Sequence, residues 1–167
     1  MTREGALAVM VSVALVLIGL LAWAWWRRTR RDSGLRAPVG EAPADAAVLS
    51  RHEGLYVATT RHGEPLERLA IRGLGFRSRA DLTVTSAGVA IDLTGQPRLF
   101  LPTAQIDDVA QATVAIDRVV ERDGLVRMSW RLNDQDVVDS YFRPQGASAR
   151  VVADEISALS QQTGKNE

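Results

Sequence analysis

The side chains able to do chemistry are few and scattered. His52 and His62 are the two histidines, and the chain has no cysteine. A thiolate zinc site, a disulfide framework and a cysteine nucleophile are thereby excluded. The ten-residue spacing of the histidines suits neither a helical nor a strand ligand pair. Both are expected at surface or loop positions, and no metal or other cofactor is expected. Asp107 with Asp108, and Asp134 with Asp136, have the residue type for acid–base work or cation binding. Both pairs flank turn signals, where aspartate is favoured for its bonds to nearby backbone. Serine and threonine are plentiful, but no G-x-S-x-G nucleophile elbow occurs. Gly73-Leu74-Gly75 lacks the following Lys-Ser/Thr of a phosphate loop and opens no helix. No catalytic residue is assigned, and the chain reads as non-enzymatic.

The constellation with most chemical promise is basic. Arg72, Arg77 and Arg79 lie between the first and second expected strands, with Arg61 and Arg68 earlier. A guanidinium fork pairs a phosphate through two parallel hydrogen bonds. Strand alternation puts Arg77 and Arg79 on one face. Glu64, Glu67 and Asp81 are interspersed, so a solvated, mixed-charge strand face has the same pattern.

Elements must position these groups, and the first is an apolar run. Gly5–Trp26 holds 22 residues without a charge. As a helix it spans roughly 33 Å, enough for a hydrocarbon core of ~30 Å. Trp23, Trp25 and Trp26 crowd its C-terminal end, where an indole is apolar in body and polar at one edge. Arg27, Arg28, Arg30 and Arg31 follow at once, whereas Arg3 on the other flank is opposed by Glu4. The positive flank stays cytoplasmic, so residues 1–4 are expected outside the plasma membrane and the C-terminal part inside. Ala22-Trp23-Ala24 has the form of a signal-peptidase site, but the run exceeds a signal-peptide core and its charges follow rather than precede it. A retained transmembrane helix over 5–26 is expected.

Residues 27–47 are basic at first and then rich in Pro, Gly and Ala, with Pro38, Pro43, Gly34 and Gly40 interrupting any helix. They read as a linker whose last ~16 residues have a flexible reach on the order of 20–25 Å. From Val48 the pattern becomes short β-like runs between turns. Leu55–Thr60, Leu82–Thr85, Val89–Leu93, Arg98–Leu101, Val109–Ile116, Leu125–Leu132 and Asp136–Phe142 are expected strands. Ser86-Ala87-Gly88, Thr94–Pro97, Arg122-Asp123-Gly124 and Asn133-Asp134-Gln135 are the expected turns. Val138 and Phe142 are candidate core positions. Over 147–162, Val152, Ile156 and Leu159 recur at helical spacing and predict an amphipathic helix. Residues 48–162 are thus a mainly-β, α+β domain of about seven strands closed by a C-terminal helix. Residues 163–167 are expected to be a disordered tail.

The charges balance at 20 basic and 20 acidic, so nucleic acid is not an expected partner. Residues 1–47 carry six arginines against four acids, which leaves the domain slightly acidic. Nineteen of the twenty basic residues are arginine, a coding bias that points to a bacterial source.

The element order resembles the pleckstrin-homology (PH)-like superfold, over roughly residues 54–162. Together with the anchor, it is similar to a family of small bacterial membrane proteins with a PH-like domain. The residues behind the resemblance are Gly73–Ala80 leading into Leu82–Thr85, then Gly88–Ile91, Asp123-Gly124-Leu125 before Trp130, and Asp139–Arg143 before the last helix. The resemblance implies a curved antiparallel sheet capped by a helix. In PH domains that bind inositol phospholipids, a basic-x-basic element in this region contacts head-group phosphates. Arg77-Ser78-Arg79, with Arg72, has that form and is the candidate anionic-lipid contact. Eukaryotic PH domains usually carry a Trp in the last helix, and this helix has none.

The leading functional expectation is a non-enzymatic adaptor or scaffold that binds a protein partner at the cytosolic membrane face. Two others stand beside it. One is an anionic-lipid sensor using Arg72, Arg77 and Arg79. The other is an accessory subunit of a transporter or membrane enzyme, with the apolar helix as its interface. The bilayer is a partner in each, and a small-molecule ligand is not expected.

Overall fold

The computed structural model describes residues 3–32, 34–115, 118–119 and 124–163. The chain forms two units, Met1–Gly34 and Leu35–Glu167. The first is the helix α1 (Arg3–Asp32). Within it Leu7–Arg27 is long and apolar enough to cross a membrane. The helix runs six residues past Trp26, where a linker was expected. Arginine is a good helix former, and cations near a helix C-terminus meet its negative dipole end. The arginines also stack on the indoles one turn back. Arg27 lies 5.4 Å from the Trp23 ring centroid and Arg30 lies 4.2 Å from that of Trp26.

The second unit is a main antiparallel sheet with a closing helix and a separate two-stranded pair. Its strands are β1 (Val48–Arg61), β2 (Glu64–Arg68), β3 (Ser78–Thr85), β4 (Gly88–Leu93), β5 (Leu99–Pro102), β6 (Ile106–Ala112), β7 (Val114–Ala115), β8 (Arg118–Val119), β9 (Leu125–Arg131) and β10 (Val137–Pro144). The helix α2 spans Ala149–Thr163. The main order is β5-β4-β3-β1-β10-β9-β6, with β2 added beside β1, and β7 pairs β8 separately. β3 and β4 form the expected hairpin, in register Val84 to Val89 and Thr85 to Gly88.

β1 is the hinge of the sheet. It pairs β3 from Val48 to Tyr56 and β10 from Gly54 to Arg61, with a register shift between Tyr56 and Ala58. Gly54 sits where both neighbours overlap. A Cβ there would lie 2.5 Å from the Arg143 carbonyl oxygen, so only glycine lets the strands cross so closely. The expected strand started at Leu55. The observed one starts at Val48; over Ser50–Glu53 it alternates half-buried and exposed polar residues, so no apolar run marks that half in the sequence.

Core residues come from alternate positions of every main strand. Tyr56, Leu82, Val84, Ile91, Leu101, Val126, Met128, Trp130, Val138 and Phe142 are all buried. The Trp130 indole N–H donates to Ser140 Oγ at 2.9 Å, so its polar edge is satisfied inside. α2 covers this face with Ala149, Val152, Ala153, Ile156 and Leu159. Burial of each of the three larger side chains is worth about 1.5–3 kcal/mol. The Ser148 hydroxyl accepts from the Val151 N–H at 3.3 Å and caps the start of α2.

The free linker expected over 27–47 is replaced by a docked strap. Leu35 and Ala37 pack on the core. Arg36 forms a bridge to Arg72, and Val39 bridges Leu99 on the edge strand β5. Phe100 N–H donates to the Pro38 carbonyl at 3.0 Å and Gly40 N–H to the Arg98 carbonyl at 3.1 Å. Ala47 and Ser86 then exchange bonds at 2.9 and 3.0 Å. An edge strand presents unpaired backbone groups that need partners. A proline suits that role because it offers a carbonyl and lacks only a donor. The tail beyond Thr163, Ile116 and most of the turn at Arg122-Asp123-Gly124 lie outside the described residues.

Candidate functional site

The long connection from β1 to β3 holds the expected basic residues, and the structure divides them. Arg61 pairs with Glu67 at 3.6 Å. Arg68 donates to the Val57 carbonyl at 3.2 Å. Arg72, Arg77 and Arg79 remain exposed, and among the described residues none has an acidic partner within ion-pair distance. Arg72 and Arg77 lie in the connection, whereas Arg79 is the second residue of β3. Ala80, Leu82 and Val84 point to the core, so Arg79 belongs to the outer face of the sheet.

Buried residues hold this connection in place. Leu69, Ile71 and Leu74 are in the core, and Leu74 N–H donates to the Ile71 carbonyl at 3.0 Å. The buried Tyr56 hydroxyl lies 2.8 Å from the Leu74 carbonyl oxygen and 2.9 Å from Thr59 Oγ1. Burial pushes the Tyr56 phenol well above its ordinary value, against the Thr59 hydrogen bond and the Arg68 charge. Two residues absent from the expected site join it. Exposed Arg36 is bridged to Arg72, and Phe76 is 88% exposed. The run Gly75-Phe76-Arg77, an aromatic between glycine and arginine in a loop, was the available signal for Phe76. Nothing local marks Arg36, because its position follows from the docked strap.

A second feature lies on the outer face of β1, β3 and β4. A groove of about 350 Å³ is lined there by residues that include Arg51, Glu53, Asp81, Thr83 and Asp92. Ala42 and Ala46 of the strap form one wall. Glu53 stands opposite Asp81, and Asp81 opposite Asp92. Asp92 is answered by Arg98, which grips it at 2.7 and 2.9 Å and reaches Glu41 at 2.9 Å. Hydrogen bonds to Asp92 first, and then Glu41, raise the Arg98 guanidinium further above its already high value.

Both histidines meet carboxylates. His52 is not a loop residue: it is on β1 with a side chain only 10% exposed, held 2.7 Å from Glu155 of α2. Ser50 donates to the same Glu155 oxygen at 2.6 Å. This trio has the residue types of a nucleophile relay without its geometry. Serine and carboxylate both approach His52 Nε2, at 3.2 and 2.7 Å, so the ring does not bridge them. The Ser50 hydrogen bond, with help from His52, lowers the Glu155 carboxyl below its ordinary value despite partial burial. His62, in the β1–β2 turn, contacts Asp139 at 2.8 Å through Nδ1. Buried Asp139 also accepts from Ser129 Oγ at 2.6 Å and Gly63 N–H at 3.1 Å.

The aspartate pairs also differ. Asp107 and Asp108 are in β6, just after the 3-10 turn Thr103–Gln105, and they pair with Arg131 at 3.2 Å and Arg127 at 2.6 Å. Asp134 and Asp136 do lie in the β9–β10 turn, where Asn133 Oδ1 accepts from the Gln135 and Asp136 amides. Among the described residues, no group of three His, Cys, Asp or Glu is disposed to hold a metal. On α1, Trp23, Trp25 and Trp26 are exposed at the end that carries Arg27 and Arg30. The side chains of Arg28 and Arg31 lie outside the described residues.

An antiparallel sheet in this order, with β1 shared between β3 and β10 and a C-terminal helix closing it, is the PH-like architecture. The profile of the bacterial PH domain-like family matches residues 33–158, and the chain belongs to that family. The match takes in the strap as well as the strands and most of α2. Among solved structures, the chain is similar to the C-terminal domain of an unknown protein from Leishmania infantum. The identity is 10% and the TM-score 0.44, over 83% of this chain and 97% of that one. No curated protein matches the chain.

Proposed function

We propose that this chain is a non-enzymatic, single-pass membrane adaptor. In this reading α1 crosses the plasma membrane with its N-terminus outside, and the PH-like domain offers a protein-binding surface on the cytosolic side. The groove on the outer face of β1, β3 and β4 carries the reading, because its lining is polar, with exposed Arg51, Glu53 and Asp81. The β5 edge is a poorer dock, since the strap already satisfies its backbone groups. The test is in-cell crosslinking of the full chain followed by purification. A specific partner is expected with the natural sequence and lost with Thr83→Arg, which fills the groove. Recovery of the same partner from both, or of none from either, overturns the reading.

A second reading has its own observation. The exposed Arg72, Arg77 and Arg79 have no acidic partner among the described residues, which favours contact with anionic lipid head groups. Each basic residue near such a surface contributes about 1 kcal/mol. Salt-sensitive protection of the 72–79 backbone in anionic but not neutral bilayers, lost on Arg77→Ala/Arg79→Ala, is the expected result.

A further inference from the structure

We propose that Phe76, at the tip of the connection between β2 and β3, inserts into the interfacial layer of an anionic leaflet and gives the domain a membrane contact additional to α1. This rests on the head-group reading of the arginines and adds to it an apolar contact that head-group pairing does not require.

Phe76 is 88% exposed, whereas Phe100 and Phe142, at 9% and 2%, are in or at the core. One exposed apolar side chain is ordinary by itself. The setting distinguishes this one. Its base is fixed: Ile71 and Leu74 are buried, and the Tyr56 hydroxyl holds the Leu74 carbonyl. The ring is therefore presented by a loop pinned to the core. Its flanks are cationic, for Arg36, Arg72, Arg77 and Arg79 are all exposed without an acidic partner among the described residues. An aromatic ring among arginines suits the interface, where apolar surface and anionic head groups meet.

Charge complementarity favours an anionic bilayer over a protein pocket as the occupant: Arg36, bridged to Arg72, adds to the exposed arginines on either side of Phe76 in the chain.

The experiment uses the full chain in nanodiscs of phosphatidylcholine alone or mixed with phosphatidylglycerol. The absence of cysteine allows one polarity-sensitive thiol label, placed through Phe76→Cys or, as a control in the β9–β10 turn, Asp134→Cys. In anionic discs the label at position 76 is expected to shift to the blue, lose quenching by aqueous iodide and gain quenching by doxyl-lipid. The control label stays aqueous. Because the label replaces the ring, amide exchange over 71–79 is also compared between the unlabelled natural chain and Phe76→Ser. Slower exchange in anionic discs is expected for the first, with much of that protection lost in the second. A label that stays open to iodide, with equal exchange in both chains, overturns insertion. If Arg77→Ala/Arg79→Ala still abolishes lipid-dependent protection in that case, the head-group reading survives alone. If nothing responds to anionic lipid, both fall. A label shielded only on adding cell extract assigns the ring to a protein and overturns the proposal.

Discussion

Tyr56 links the core to the connection that carries the exposed arginines, and a single oxygen makes the link. Tyr56→Phe keeps the ring and leaves the buried Leu74 carbonyl without its donor. The expected cost is about 1–2 kcal/mol in denaturant melts, with faster amide exchange over 71–77. Glu155 gives a pH-dependent test. Its folded carboxyl is lowered, first by the Ser50 hydrogen bond. Its contribution is therefore complete above the ordinary glutamate value of about 4.3 and is lost as pH falls through the lower folded value. Glu155→Gln is expected to flatten that acid-side part of the stability profile, read by thermal melts across the acid range. The Ser50, His52 and Glu155 contacts join residues more than a hundred positions apart. Their chemistry was visible one residue at a time, and their meeting was not.

At the scale of elements, two features depend on close backbone approach. Gly54→Ala puts a methyl group 2.5 Å from the Arg143 carbonyl. The expected loss is on the order of 1–3 kcal/mol, read by thermal or denaturant unfolding. The strap depends on Leu35 and Ala37 packing against the core. Leu35→Asp combined with Ala37→Asp is expected to free it. The Phe100 amide, which donates to Pro38, then exchanges faster, and the bared β5 edge promotes association of copies in sedimentation runs. Strand and helix periods were legible wherever one face is apolar, as in the β3–β4 hairpin and the α2 stripe. They were not legible in the strap, whose prolines and glycines read as a tether. Its order comes from a distant edge strand, to which no local pattern refers.

For the whole molecule, the arrangement of charge about α1 predicts topology. A reporter fused after Glu167 is expected to be active in its cytosolic form and silent in its exported form. The reverse result places the domain on the other side and removes the cytosolic adaptor. Replacing Gly5–Trp26 by an unrelated spanning helix separates two further readings. An adaptor keeps its crosslinked partner after the swap, and an accessory subunit that docks through the helix loses it.

The amino-acid sequence by itself determined the elements whose signals are local and repetitive. These are the apolar helix with its Trp and Arg end, the alternation of the strands, the α2 stripe and the absence of any thiol chemistry. They were readable because hydrophobic period and turn residues act over a few neighbours. Tertiary structure alone decided which arginines are consumed by partners and which, among the described residues, have no acidic partner. It also decided that residues 35–47 form a strap, that His52 lies on a strand against Glu155, and that His62, in the β1–β2 turn, meets the buried Asp139. Those outcomes depend on β1 pairing with both β3 and β10, whose registers overlap at Gly54. That shared strand brings distant strands and α2 together, and side-chain pairs across such distances are set by packing rather than by spacing along the chain.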